Sequence, residues 1–214
     1  MKKIWGYLPL LFCPVLVHAQ SAVDVNVGFG SAFDSAKSGS GIDNVTFLSC
    51  APGSAVTCQS TPSLSGFFLG FGGDVMFRQH FGAGAEVSFQ PTHQNYGPLK
   101  YRQTFVDVNG IYEPLITKRA IVQLQGGVGS ASTGFIFSQS GCVGTAVCTN
   151  SVSSLGSSTH FQVHFGAGVQ IPIKDHFFVR PQFDLHYVPN LTNQFGSNVV
   201  PEVMVSVGYH LGER

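Results

Sequence analysis

Charge is what this chain of 214 residues has least of. Asp, Glu, Lys and Arg make up 10% of it, against about 25% in ordinary soluble domains. No basic stripe or patch is present, which excludes an electrostatic binder of nucleic acid. After residue 19 there is no run of about 18 apolar residues, which excludes helical membrane spans. No G-x-S-x-G nucleophile elbow occurs. The nearest approach to a catalytic set, His93 with Ser88 and Glu86, does not converge on an alternating strand. Metal-ligand spacing is missing as well. His160 and His164 share a strand face four residues apart, about 13 Å, too far for one ion. The chain is therefore read as non-enzymatic, with no catalytic residue, no metal and no cofactor.

What is present is glycine, 26 residues, and phenylalanine, 19, set in an alternating pattern. In "FQVHFGAGVQIPI" (161–173), Phe161, Val163, Phe165, Ala167, Val169 and Ile171 occupy one face. Gln162, His164, Gly166, Gly168 and Gln170 occupy the other, as in a strand with one apolar and one polar side. The pattern recurs over about 22–33, 66–78, 82–91, 100–112, 119–137, 177–188 and 199–211. Eight strands result, each meeting the roughly 9–11 residues that a tilted strand needs to cross a bilayer. Segments 34–65, 92–99, 138–157 and 189–198 are long and polar, whereas 79–81, 113–118 and 173–176 are short turns. Long and short connections alternating around an even number of strands describe a membrane barrel with short periplasmic turns and long outer loops.

The amino terminus reads as a secretory signal peptide over 1–19. Lys2 and Lys3 precede an apolar run from Ile4 to Val17, and "VHA" ends at Ala19. The domain is then 20–214, with nine basic and eleven acidic side chains. Four cysteines remain in two close pairs. In a secreted chain an even count reads as disulfides, assigned Cys50–Cys58 and Cys142–Cys148. Each pair lies within a long loop rich in Ser, Thr and Gly, at 34–65 and 138–157.

Two architectures share such alternation. A lipocalin-like soluble barrel points its apolar face inward, and a membrane barrel points it outward. The polar face consists of Gly, Gln, Ser, Asn, His and a few charges, with almost no lysine, unlike a solvated sheet surface. Its small residues suit a narrow interior. The bulk of the Phe, Val, Leu and Tyr opposite exceeds what an eight-strand interior holds. The expected fold is an all-β, eight-stranded, antiparallel up-and-down transmembrane barrel with a polar lumen.

The segment "GAGVQIPIKDHFFVRPQFDLHY" (166–187) and the ending "VMVSVGYHL" (203–211) carry a resemblance. The region after Ala19 resembles the small eight-stranded bacterial outer-membrane barrels, the family of the OmpA and OmpX transmembrane domains and related outer membrane protein beta-barrel proteins. The resemblance implies residence in the bacterial outer membrane, contact with outer-membrane lipid and insertion by the barrel-assembly machinery. That machinery reads a terminal aromatic residue. Here Tyr209 and Leu211 hold the alternation, and Gly212, Glu213 and Arg214 follow. The fold names no activity, since it hosts several.

Inward parity nominates a lumen charge network: Asp24, Asp74, Arg78, Glu86, Asp107, His164, Arg180, Asp184 and Glu202. Counting back from the turn at 79–81 sets Asp74 opposite Glu86, and a similar count brings His164 near Asp184. Phe77, Tyr101, Tyr112, Phe177, Tyr187 and Tyr209 are the candidate interface aromatics, and Lys100 and Arg102 face lipid phosphates or the solvated rim. The expected function is a monomeric anchor that holds disulfide-pinned loops outside the cell, for envelope structure or for an extracellular ligand. A small pore and a secreted soluble binding barrel are the alternatives.

Overall fold

The computed structural model describes residues 22–34, 63–96, 99–143 and 147–212, with the backbone alone for 138–143 and 147–151. The expected signal peptide, most of the first long loop with Cys50 and Cys58, and Glu213 and Arg214 lie outside the described residues.

Among the described residues nine strands follow in order: β1 (Val23–Ala32), β2 (Phe68–Arg78), β3 (Phe81–Phe89), β4 (Gln94–Tyr96), β5 (Leu99–Ile116), β6 (Ile121–Val143), β7 (Val147–Lys174), β8 (Phe177–Tyr187) and β9 (Val199–Leu211). All pairings are antiparallel. Pairing of β1 with β9 and of β3 with β5 closes eight strands into a ring. Closure leaves no unpaired edge within the membrane span, the condition under which a sheet can sit in hydrocarbon. The short β4 pairs with the outer end of β5. It resumes the line of β3 after Gln90 and Pro91, whose proline supplies no N–H to a ladder.

Side chains alternate between lumen and exterior at the strand period of two. Phe161, Phe165 and Phe183 are 59%, 61% and 46% exposed, while His164, Arg180 and Asp184 are buried inside. This polarity fits lipid outside and overturns the soluble lipocalin-like reading, which requires those rings in the centre. Pro181 sits on the outward face, paired with Val205 of β9. The ladder to β7 has no pair at Pro181, where the N–H is missing.

Two expectations for the loops change. Residues 138–143 and 147–157 continue β6 and β7 as a two-stranded ribbon, paired from Phe137↔Ser153 up to Val143↔Val147. Its Ser/Thr/Gly composition reads as loop because water bathes both faces, and no apolar alternation is needed there. Segment 189–198 is also no simple surface loop. A 3-10 turn, Leu191–Asn193, entered through Asn190 in a left-handed conformation, buries Leu191 and Phe195 in the outer mouth.

Candidate functional site

Among the described residues the lumen concentrates the buried polar side chains, in layers that run from the periplasmic end outward. At the bottom Ala22, Met76 and Ile111 form a small apolar cluster. Above it Phe178 stacks on His210, with ring centres 4.5 Å apart. The His210 Nδ1 lies 2.6 Å from Asp24 Oδ1.

The next layer centres on Arg180. Its guanidinium donates to Asp74 Oδ2 and to Gln123 Oε1, both at 2.8 Å. Gln123 in turn donates to Asp74 at 3.1 Å. The middle layer joins Glu86, Asp184 and His164. Gln125 and Gln182 each donate to both acids. His164 Nε2 lies 2.9 Å from Asp184 Oδ1, and its Nδ1 lies 2.9 Å from Asn109 Oδ1. The upper layer holds Asp107, bound by Gln162 at 2.6 Å, and Glu202, bound by His186 at 2.9 Å and Ser88 at 3.1 Å. His164, His186 and Phe105 form a continuous ring stack, with centres 4.8 and 4.4 Å apart.

Six carboxylates therefore occupy these layers, with the buried Glu113 below them on the same face of β5, and Arg180 is the only buried Arg or Lys among the described residues. Such charges out of water are tolerable only when hydrogen-bonded and paired. Glutamine does much of that work. Gln123, Gln125, Gln162, Gln170 and Gln182 each direct an amide N–H to a carboxylate, supplying donors without adding further charge. The sequence reading placed these glutamines on the polar face but nominated only charged groups and one histidine. Parity alone would have found them, along with His186 and His210.

Three nominated residues sit elsewhere than expected. Arg78 is exposed, because an irregularity between Met76 and Arg78 breaks the alternation just before the turn. Glu86 faces Gly72, not Asp74, because the β2–β3 register is two residues from the expected one; Asp74 faces Gly84 and, across β1, Asp24. Tyr101 is buried, not girdling, since it shares parity with Gln103 and Asp107. Its ring joins Tyr96 and Phe195 at 5.9 and 5.1 Å. Phe77, Tyr112, Phe177 and Tyr187 are exposed and Tyr209 is half-buried.

Above the polar layers an apolar plug fills the outer mouth. Phe68, Phe105, Tyr96, Tyr101, Leu191 and Phe195 are its main members. The Tyr96 hydroxyl donates to the Gln194 carbonyl, fastening the 191–195 turn inside. The inward glycines do not leave open water either. A Cβ at Gly70 would strike Met204, at Gly84 Asp74, at Gly166 Asp184 and at Gly208 the Phe178 ring. Each notch is occupied by a larger neighbour, as expected where large and small side chains interleave.

Among the described residues no cluster of three or more His, Cys, Asp or Glu side chains has the geometry to hold a metal ion. Outside the membrane span, burial and the nearby Arg102 and Lys100 cations hold the His93 imidazole below its ordinary range.

A family model described as "Outer membrane protein beta-barrel domain" matches residues 6–210. No curated protein sequence matches the chain. Among solved structures, Neisserial surface protein A is similar with 11% identity and a TM-score of 0.55, covering 89% of this chain and 97% of that one. The outer membrane protein OprG of Pseudomonas aeruginosa is similar with 13% identity and a TM-score of 0.50, covering 92% and 98%. At such identities the likeness is one of fold.

Proposed function

The chain belongs to the outer membrane protein beta-barrel family and resides in the bacterial outer membrane, and from that premise we propose that it is a closed, non-enzymatic anchor for structures held outside the cell. The observation that carries this reading is the filled bore. Polar layers, occupied glycine notches and an aromatic plug of the described residues fill it with side chains. Eight strands enclose an interior just wide enough for side chains, and here side chains fill it.

With transport disfavoured, the role falls to what stands outside: the first long loop and the β6–β7 ribbon. The ribbon carries the β6–β7 ladder beyond the span. β7 has 28 residues, well beyond the roughly 9–11 required for the span. Residues 152 to 157 are exposed, Ser153, Ser154 and Ser157 together with Val152 and Leu155. Cys142 and Cys148 are directly opposed in register near its tip, and opposed strand positions have the Cα separation a disulfide needs. A bond there closes a short loop and limits the unfolded chain by roughly 2–3 kcal/mol. The same oxidising compartment would pair Cys50 with Cys58, and the signal peptide at 1–19 would deliver the chain to it. The barrel acts as a monomer, inserted by the assembly machinery, and an extracellular ligand would meet the ribbon or the first loop.

The test is electrical. Purified protein in planar bilayers is expected to show no steady single-channel steps. Steady openings by the wild type, altered in size by Arg180→Ala, would replace the anchor with the pore.

A further inference from the structure

The periplasmic mouth carries chemistry that the anchor role leaves unused. A cavity of about 550 Å³ opens there, between the β5–β6 turn and the β7–β8 turn. Lys118, His176 and His210 line it, with Asp175 as the one acidic member. His210 is held from behind: its Nδ1 is committed to Asp24 at 2.6 Å, and Phe178 stacks on its ring. With its Nδ1–H given to Asp24 the ring is fixed at the cavity wall, and its Nε2 donates to an anion only when it carries a proton as well. Thr117 is fixed too, its hydroxyl donating to the Ala120 carbonyl at 2.7 Å, which sets the turn that presents Lys118.

The surroundings share the same sign. Arg78, Lys118, Arg119 and Lys174 are all exposed at or beside the short turns. Against them stand Asp175 and the buried Glu113, whose backbone carbonyl and N–H are engaged by His80. Four of the seven described Lys and Arg side chains thus stand at this rim, with Lys100 and Arg102 at the opposite one and Arg180 in the bore. In a membrane barrel that rim lies at the headgroup level of the periplasmic leaflet, where phosphate oxygens are abundant.

We propose that this mouth is a phosphate-binding site, formed by Lys118, His176 and His210. Phosphate oxygens accept hydrogen bonds from an ammonium and from imidazole N–H groups, and charge assistance makes such bonds short and strong. The nearest source is the headgroup of an anionic lipid; free phosphate offers the same oxygens. The inference rests on the orientation of the barrel in the membrane and not on the closure of its bore.

The experiment uses the full chain refolded in a phosphate-free maltoside micelle, with its histidine rings labelled for NMR. One arm adds inorganic phosphate at constant ionic strength. The other adds a short-chain phosphatidylglycerol. A saturable shift of the His210 ring resonances is expected. A response in both arms assigns the site to phosphate oxygens as such, a response to the lipid alone assigns it to the headgroup, and a response to inorganic phosphate alone assigns it to the free anion. The double variant Lys118→Ala/His176→Ala alters only exposed turn residues, and folding is verified by heat-modifiable gel migration. It is expected to weaken the response about tenfold or more. No movement of His210 in either arm, or an unchanged response in the folded double variant, would overturn the proposal.

Discussion

The Arg180–Asp74 pair is the most exacting place to perturb this barrel. Both side chains are nearly inaccessible, 1% and 5% exposed, at 2.8 Å. Replacing Arg180 with Met keeps much of the stem that packs beside Gly168 and removes the only buried Arg or Lys among the described residues. Asp74 then keeps one donor, Gln123 at 3.1 Å, and no cation. Breaking a buried pair from one side costs about 3–5 kcal/mol, most of it the stranded charge. A cost of about 4 kcal/mol moves the unfolding equilibrium roughly a thousandfold. The companion variant Arg180→Met/Asp74→Asn removes both charges and leaves an amide that Gln123 still reaches. Neutralised pairs are often close to neutral in stability, so the double variant should recover more than half of the loss. The assay is urea unfolding in lipid vesicles, followed by gel mobility. If Arg180→Met costs less than about 1 kcal/mol, or if the double variant is no more stable than the single one, the paired-charge account of the bore is wrong.

Three further outcomes are expected. Phe183→Arg, near the middle of β8, should cost about 2–4 kcal/mol in vesicles, whereas Tyr187→Arg at the outer end should cost roughly 0–1 kcal/mol; equal costs would remove the hydrocarbon from around β8. Gly129→Ala drives a methyl into the Val106 carbonyl and to within 2.6 Å of Asp107 Oδ1, and should lower stability by about 1–3 kcal/mol, as overpacked interiors do; an unchanged midpoint would mean that the bore is roomier than described. The His93 imidazole should take up its proton only as the pH falls below its ordinary value of about 6.5. In an NMR titration, Lys100→Ala/Arg102→Ala should bring that midpoint partway back up, the remainder reflecting burial.

Much of this structure was legible in the sequence, for an identifiable reason. In the bilayer one face of every strand must be apolar, so period-two alternation marks both the strands and the direction of each side chain. Asp24, Asp107, Arg180 and Glu202 could be placed inside by parity alone. Parity fails where the backbone departs from it. The irregularity after Met76 turns Arg78 outward, and the same β2–β3 turn moves Glu86 two residues along. Tyr101 is a different case: its parity points inward, while tyrosine as a residue type favours a membrane interface. Leu191 and Phe195 had no periodic signal at all, because an irregular turn carries them into the mouth. The ribbon was missed for the converse reason. Where β6 and β7 rise clear of the membrane, both faces meet water and Ser153 or Ser158 serves as well as Val or Phe, so hydrogen bonding persists without the pattern that reveals it.

Outward-facing aromatic rings are the premise from which the lumen, its charges and its closure all follow. The direct measurement is magnetisation transfer between lipid acyl protons and ring protons, recorded on the chain in nanodiscs. Phe161, Phe165 and Phe183 should each show strong transfer from acyl methylenes and none from His164. Rings that exchange magnetisation with His164 and with one another, and receive none from lipid, would contradict the account.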